Sequence, residues 1–152
     1  MTERARILVV DDDEGIRKLL TKILEEEGYV VDAVKNGREA IEKSKIFFYN
    51  LALVDFRLPD MDGTDLLTGM SETTPKMVKI ILTGYPSLQN AIDAVNKGAD
   101  GYLVKPVDVD ILHDTMRKHL KRQEEARVYT EEKIAEFIET KAKELGHVPR
   151  PH

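Results

Sequence analysis

Between residues 5 and 121 of this 152-residue chain, five short apolar runs are each followed by a stretch of helical periodicity. The runs are residues 7–10, 30–34, 51–55, 77–82 and 101–104. Several carry Val, Ile, Leu and Ala at consecutive rather than alternate positions, the mark of strands buried on both faces. Between them Ile16, Leu19, Leu20, Ile23 and Leu24 recur at helical spacing before Gly28, and Asn36 with Glu39 forms a capping box ahead of Ala40 and Ile41. A helix over about 64–70 is closed by residues 71–75. Leu88, Ala91, Ile92 and Val95 form the next helical face before Gly98, and Asp108 caps the one bearing Leu112, Met116 and Leu120. Strict alternation requires parallel strands joined by right-handed crossovers, with helices on both faces. The chain is therefore predicted to be α/β, a doubly wound parallel sheet, with residues 30–34, interrupted by Asp32, at an edge.

Such a sheet gathers the carboxyl ends of its strands along one crevice, so the residues there matter more than their separation in sequence. The first strand ends on Asp11 and Asp12, the third on Asp55, the fourth on Thr83 and the fifth on Lys105. Three carboxylates brought together repel one another, and either raised pKa values or a cation must offset that repulsion. An oxygen-seeking divalent ion, most naturally Mg2+, suits a few carboxylates with waters and a phosphate oxygen. Lys105 adds a point charge for a phosphoryl oxygen, and Thr83 a neutral donor. The set reads as a phosphoryl-transfer site.

Composition narrows the alternatives. The absence of cysteine removes thiolate nucleophiles, disulfides and sulfur-ligated zinc. A net charge of −5 gives no global pull toward nucleic acid or anionic lipid, and no apolar segment is long enough to cross a membrane. A cytoplasmic setting is the expectation. Neither a helix-turn-helix nor a basic helix follows residue 121, so no direct nucleic-acid binding is encoded here.

At Val9, Val10 and Asp11 to Asp13, at Val54 and Asp55 with Pro59, Asp60, Met61, Asp62 and Gly63, at Leu82, Thr83 and Gly84, and at Tyr102, Leu103, Val104, Lys105 and Pro106, the chain resembles the receiver domains of two-component response regulators. The resemblance covers about residues 5–121. It implies a flavodoxin-like (βα)5 fold with strand order 2-1-3-4-5, a receiver domain over 1–122, and a helical tail or linker over 123–152. It further implies that Asp55 accepts a phosphoryl group from a histidine kinase or phosphotransfer protein, and that Mg2+ is held by Asp11, Asp12, Asp55 and the backbone carbonyl of Arg57. Lys105, Thr83 and the backbone at Gly84 would contact the phosphoryl oxygens, Thr83 and Tyr102 would form the switch, and the Lys105–Pro106 bond would be cis. A downstream protein partner, and a homodimer, are the expected associations. On this reading the chain is no enzyme beyond its own phosphorylation and dephosphorylation.

Two rivals stand beside it. A Mg2+-dependent phosphohydrolase of the haloacid-dehalogenase type also uses a strand-end aspartate, but its first-strand motif ends on Thr where this chain has Gly15. A receiver-like interaction module that is never phosphorylated would not need all five site positions. The histidines at 113, 119, 147 and 152 lack helical ligand spacing and are read as surface residues.

The tail carries its own pattern. The helical apolar series lapses at Gln123, Glu124 and Arg127, and a new helix is expected over about 131–145. Thr130 would cap it, Tyr129 would staple onto Ile134, and Ile134, Phe137, Ile138, Ala142 and Leu145 would share a face that docks on its own receiver or on a second copy.

Overall fold

The computed structural model describes residues 4–146. In chain order the elements are β1 (Arg6–Val10), α1 (Glu14–Glu26), β2 (Val30–Val34), α2 (Gly37–Ile46), β3 (Leu51–Asp55), α3 (Gly63–Gly69), β4 (Val78–Thr83), α4 (Leu88–Asn96), β5 (Gly101–Val104) and α5 (Val109–Glu144). The sheet has the order β2-β1-β3-β4-β5, with every pairing parallel. The fold is the flavodoxin-like one, with β2 at the edge as its polar interruption predicts.

Strand periodicity sorts the core into two layers. Ile7, Val9, Leu51, Leu53, Ile80 and Leu82 point to one face and pack with Leu20 and Leu24 of α1 and Leu112 and Met116 of α5. Leu8, Val10, Ala52, Val54 and Ile81 point to the other and meet Ala40, Leu66, Leu67 and Ala94 of α2, α3 and α4. Because β1, β3 and β4 are covered on both sides, polar site groups come at their carboxyl ends, at Asp11, Asp55 and Thr83, and of these Asp55 keeps some exposure.

The largest departure from the sequence expectation is α5. It runs unbroken for 36 residues, so the separate helix expected over 131–145 is a continuation of the one that begins at Val109. Thr130 lies inside it and caps nothing, and Tyr129 is 60% exposed rather than stapled. The physical reason is that residues 121–130 contain no Gly or Pro, so a lapse in apolar pattern marks exposure rather than an end. Arg127 also ties two turns together, pairing with Glu124 and with Glu131 at 2.6 Å each. The tail stripe does not dock on its own receiver: Ile134, Phe137 and Ile138 are all more than half exposed.

Gln123, where the pattern lapses, proves to be an anchor. It is buried, its amide nitrogen donates to the carbonyls of Asn50 and Lys76 at 2.8 Å, and its oxygen accepts from the Asn50 side chain at 3.1 Å. Gln123→Leu should therefore leave the Lys76 carbonyl and the Asn50 side-chain amide without partners, the Asn50 carbonyl keeping its bond from the Val78 N–H, and lower unfolding stability by about 2–3 kcal/mol, read from urea transitions at unchanged slope.

His113 is a further correction. It is buried with Nε2 3.3 Å from the Glu27 carboxylate at the end of α1, because position 113 follows Leu112 onto the side of α5 that meets α1. His119 is partly exposed, and His147 and His152 lie outside the described residues.

Candidate functional site

Each strand delivers one part of the site. Asp55 closes β3, Thr83 closes β4, Asp11 and Asp12 follow β1 directly, and Lys105 follows β5. The register places Asp55 beside Leu82 and Thr83 beside Val104, so the four termini form one edge. Three of the acids meet there: a carboxylate oxygen from each of Asp11, Asp12 and Asp55 lies within 4.8 Å of the others. The Lys105 ammonium sits between two of them, 2.8 Å from Asp11 Oδ2 and 3.2 Å from Asp55 Oδ1. The Lys105–Pro106 peptide bond is cis, as the resemblance implies.

Burial separates the acids. Asp11 is buried, and it is held by the backbone N–H of Asp13, which donates to its Oδ1 at 2.9 Å, while Arg17 donates to its carbonyl at 2.8 Å. Asp12 is exposed and stands at the crevice mouth. Asp13 takes no part in the cluster. Its carboxylate caps α1 by accepting from the Ile16 N–H at 3.0 Å.

The Asp55 carboxyl is held above its ordinary pKa, chiefly by burial and then by the charge on Asp11, with Lys105 opposing both. Lys105 shows the complementary balance. Burial works against its charge, but the bond to Asp11 and the charges of Asp11 and Asp55 outweigh it and raise the ammonium pKa.

The β3–α3 loop fixes how Asp55 is presented. Phe56 donates to the Leu82 carbonyl at 2.8 Å, Gly63 donates to the Phe56 carbonyl at 2.7 Å, and Leu58 donates to Met61 at 3.1 Å. A Cβ on Gly63 would collide with the backbone carbonyl oxygen of Asp55. The neighbouring acid Asp60 serves another element, since its two oxygens accept from Gly37 and Arg38 at 2.9 Å and cap α2.

Thr83 is buried, and its hydroxyl accepts from the Tyr85 N–H at 3.0 Å. The Tyr102 hydroxyl is buried and finds no hydrogen-bond partner among the described residues. Above the mouth, the Arg57 guanidinium lies 5.3 Å from the Tyr85 ring centroid, linking the loops that follow β3 and β4. Gly84 is exposed between Thr83 and Tyr85. In the sequence Arg57 and Tyr85 stand out only one at a time, each two residues past a site position, and nothing local shows that they pair.

The response regulator receiver domain family matches residues 7–117. This chain belongs to that family. A CheY-like receiver domain from Methanospirillum hungatei JF-1 is 43% identical, superposes with a TM-score of 0.78, and covers 82% of this chain and 99% of that one. The beryllofluoride-activated NtrC4 receiver domain dimer is 39% identical with a TM-score of 0.72, over 78% of this chain and 98% of its own. Among curated proteins, the transcriptional regulatory protein ZraR of Escherichia coli K12 is 38% identical over 114 residues, and that of Klebsiella oxytoca is 35% identical over 146 residues. The latter match covers 96% of this chain but 31% of the relative, so this receiver spans about a third of the length of such regulators. Among the described residues no helix is long and apolar enough to cross a membrane.

Proposed function

We propose that this receiver takes a phosphoryl group onto Asp55 from a phosphohistidine of a histidine kinase or phosphotransfer protein, and that the modification alters a protein-interaction surface. The observation that carries the reading is the convergence of Asp11, Asp12, Asp55 and Lys105 at one sheet edge. In the transfer, an Asp55 carboxylate oxygen attacks phosphorus, the bond from phosphorus to the imidazole nitrogen breaks, and the leaving imidazole keeps the electron pair and is neutralised by a proton. Lys105 would exchange its carboxylate partners for a phosphoryl oxygen, Thr83 would donate its hydroxyl to another, and the backbone N–H of Gly84 would contact the same group.

The donor set fits a hard divalent cation: it is all oxygen, partly open to water, and brings three carboxylates together, with the Asp11 charge adding to burial in raising the Asp55 pKa. Held by Asp11, Asp12, Asp55 and the Arg57 carbonyl, Mg2+ would supply neutralisation of the charge on the transferring group.

Movement of Thr83 toward the phosphoryl group would open space beside Tyr102, coupling the site to the surface of α4, β5 and α5. That surface already exposes Leu88, Ile92, Val95, Val104 and Ile111, apolar side chains that suit a protein partner. The chain then works as a cytoplasmic signalling component that catalyses only its own phosphorylation and dephosphorylation.

The test is incubation with acetyl phosphate and Mg2+ followed by intact-mass measurement and peptide mapping. One added phosphoryl group on Asp55, absent in EDTA, is the expected result. Phosphate mapped to Asp60 or Asp62, or turnover of a generic phosphate monoester, would overturn the reading.

A further inference from the structure

The N-terminus of α2 is closed by two different segments of the chain. Its own cap, Asn36, accepts from the Glu39 N–H at 2.8 Å and leaves the N–H groups of Gly37 and Arg38 for another partner. That partner is Asp60, in the turn between β3 and α3: its Oδ1 accepts from Gly37 and its Oδ2 from Arg38, both at 2.9 Å. One carboxylate forked over two helix N–H groups is a charge-assisted clamp at the positive end of the helix dipole. The Gly37 N–H, foremost, holds the Asp60 carboxyl below the ordinary carboxylate range although the residue is exposed. Met61 adds an apolar contact at the same place, since a Cβ on Gly37 would run into its thioether.

The clamp holds the tip of a short, stiff turn. At its neck Arg57 is bridged to Asp62, and the Leu58 N–H donates to the Met61 carbonyl at 3.1 Å, so residues 58–61 are closed on themselves. Pro59 inside the turn has a fixed φ, which leaves little freedom to absorb a shift of the tip. Arg57 in turn sits beside the acceptor. Burial chiefly raises the Asp55 pKa, and the backbone N–H of Arg57 is among the groups that oppose it.

We propose that Asp60 is a positioning residue: by pinning the turn to α2 it fixes where the Arg57 peptide lies beside Asp55, and so how well the site holds its divalent cation. This role rests on the proposed function, in which the Arg57 carbonyl joins the three aspartates around Mg2+. A turn freed from α2 would have to be ordered at the moment the ion binds, and that ordering weakens binding. Helix α2 places no side chain in the acidic cluster, yet through one carboxylate it governs the cluster's affinity.

Wild type, Asp60→Ala, Asp60→Asn and Asn36→Ala are titrated with Mg2+ by calorimetry, without phosphodonor. Asp60→Ala, which strips both acceptors from the clamp, should bind the ion about tenfold more weakly. Asp60→Asn, which returns one amide oxygen, should recover part of that loss. Asn36→Ala weakens the same helix terminus without touching the turn, and should bind Mg2+ like the wild type. Phosphorylation by acetyl phosphate should follow, slowed in Asp60→Ala at low Mg2+ and restored when Mg2+ is raised, a recovery that a merely loosened fold would not show. An Asp60→Ala protein that binds as tightly as wild type, or an Asn36→Ala protein that loses as much, overturns the proposal.

Coupling is reciprocal, so the wild type supplies a second test that needs no variant. If the clamp favours the bound ion, the ion favours the clamp, and Mg2+ should slow hydrogen exchange at the Gly37 and Arg38 amides, read by NMR. Exchange there that is indifferent to Mg2+, or a wild type that binds no Mg2+, overturns the role of Asp60. A wild type that binds the ion and protects these amides but takes up no phosphoryl group overturns only the reading of Asp55.

Discussion

Asp55→Asn is expected to abolish phosphoryl incorporation from acetyl phosphate and, in metal-free buffer, to raise Tm. The first effect follows from chemistry: the amide keeps the shape of the side chain but has no anionic oxygen to attack phosphorus. The second follows from burial of the Asp55 carboxylate first, and then from crowding. With three carboxylates converging within 4.8 Å and one ammonium among them, the folded state carries repulsion that the unfolded chain escapes. The sign agrees with the raised pKa of Asp55, since a carboxyl that resists ionisation in the folded state contributes stability at low pH that is lost as pH rises through its folded pKa. Removing the charge removes that loss. Intact-mass assay and a thermal scan in EDTA measure the pair, and an Asn variant that labels, or that melts below the wild type, contradicts this picture of the site.

Gly63→Ala is expected to lower stability by about 2–4 kcal/mol, a fall in Tm of roughly 10 °C, and to slow phosphorylation as well. The added methyl meets the Asp55 carbonyl oxygen, which is backbone and cannot rotate aside. Relief requires the loop to move outward, which strains the Gly63 to Phe56 hydrogen bond and shifts the acceptor relative to Lys105. Thermal unfolding and a phosphorylation time course report the two consequences separately. By contrast Gly15→Ala, whose Cβ would meet only the tip of the Asp13 side chain, should be well tolerated.

Much of this fold is legible in the residues because its signals are local and repeated. Consecutive apolar runs mark β1, β3 and β4, and caps at Asn36 and Asp108 mark where helices start. The site is legible for a topological reason: once all strands are parallel, their terminal residues share an edge whatever lies between them. What periodicity cannot reach depends on contacts between distant segments. Gln123 is polar, so periodicity counts it as surface, yet carbonyls from Asn50 and Lys76 make its burial favourable. Lys79 is hidden inside an apolar strand in the same way, with its ammonium donating to the Leu67 carbonyl at 2.8 Å. The continuity of α5 is not legible either, because the cap and staple residues at Thr130 and Tyr129 signal only where a helix could begin.

The Tyr102 hydroxyl, buried without a partner, bears on how evenly the receiver is poised. An unmade hydrogen bond of this kind costs about 1–3 kcal/mol, equivalent to a factor of about 5 to 150 in an equilibrium constant. The ring as it stands here therefore occupies a well shallower by that amount than its packing alone would provide. On the proposed switch, in which the ring moves into space opened by Thr83, leaving this well costs less by the same amount, and phosphorylation would need to supply only the remaining difference. Tyr102→Phe, which removes that one oxygen atom, would deepen the well of the resting ring position and is expected to leave a smaller fraction of the receiver in the switched arrangement before phosphorylation.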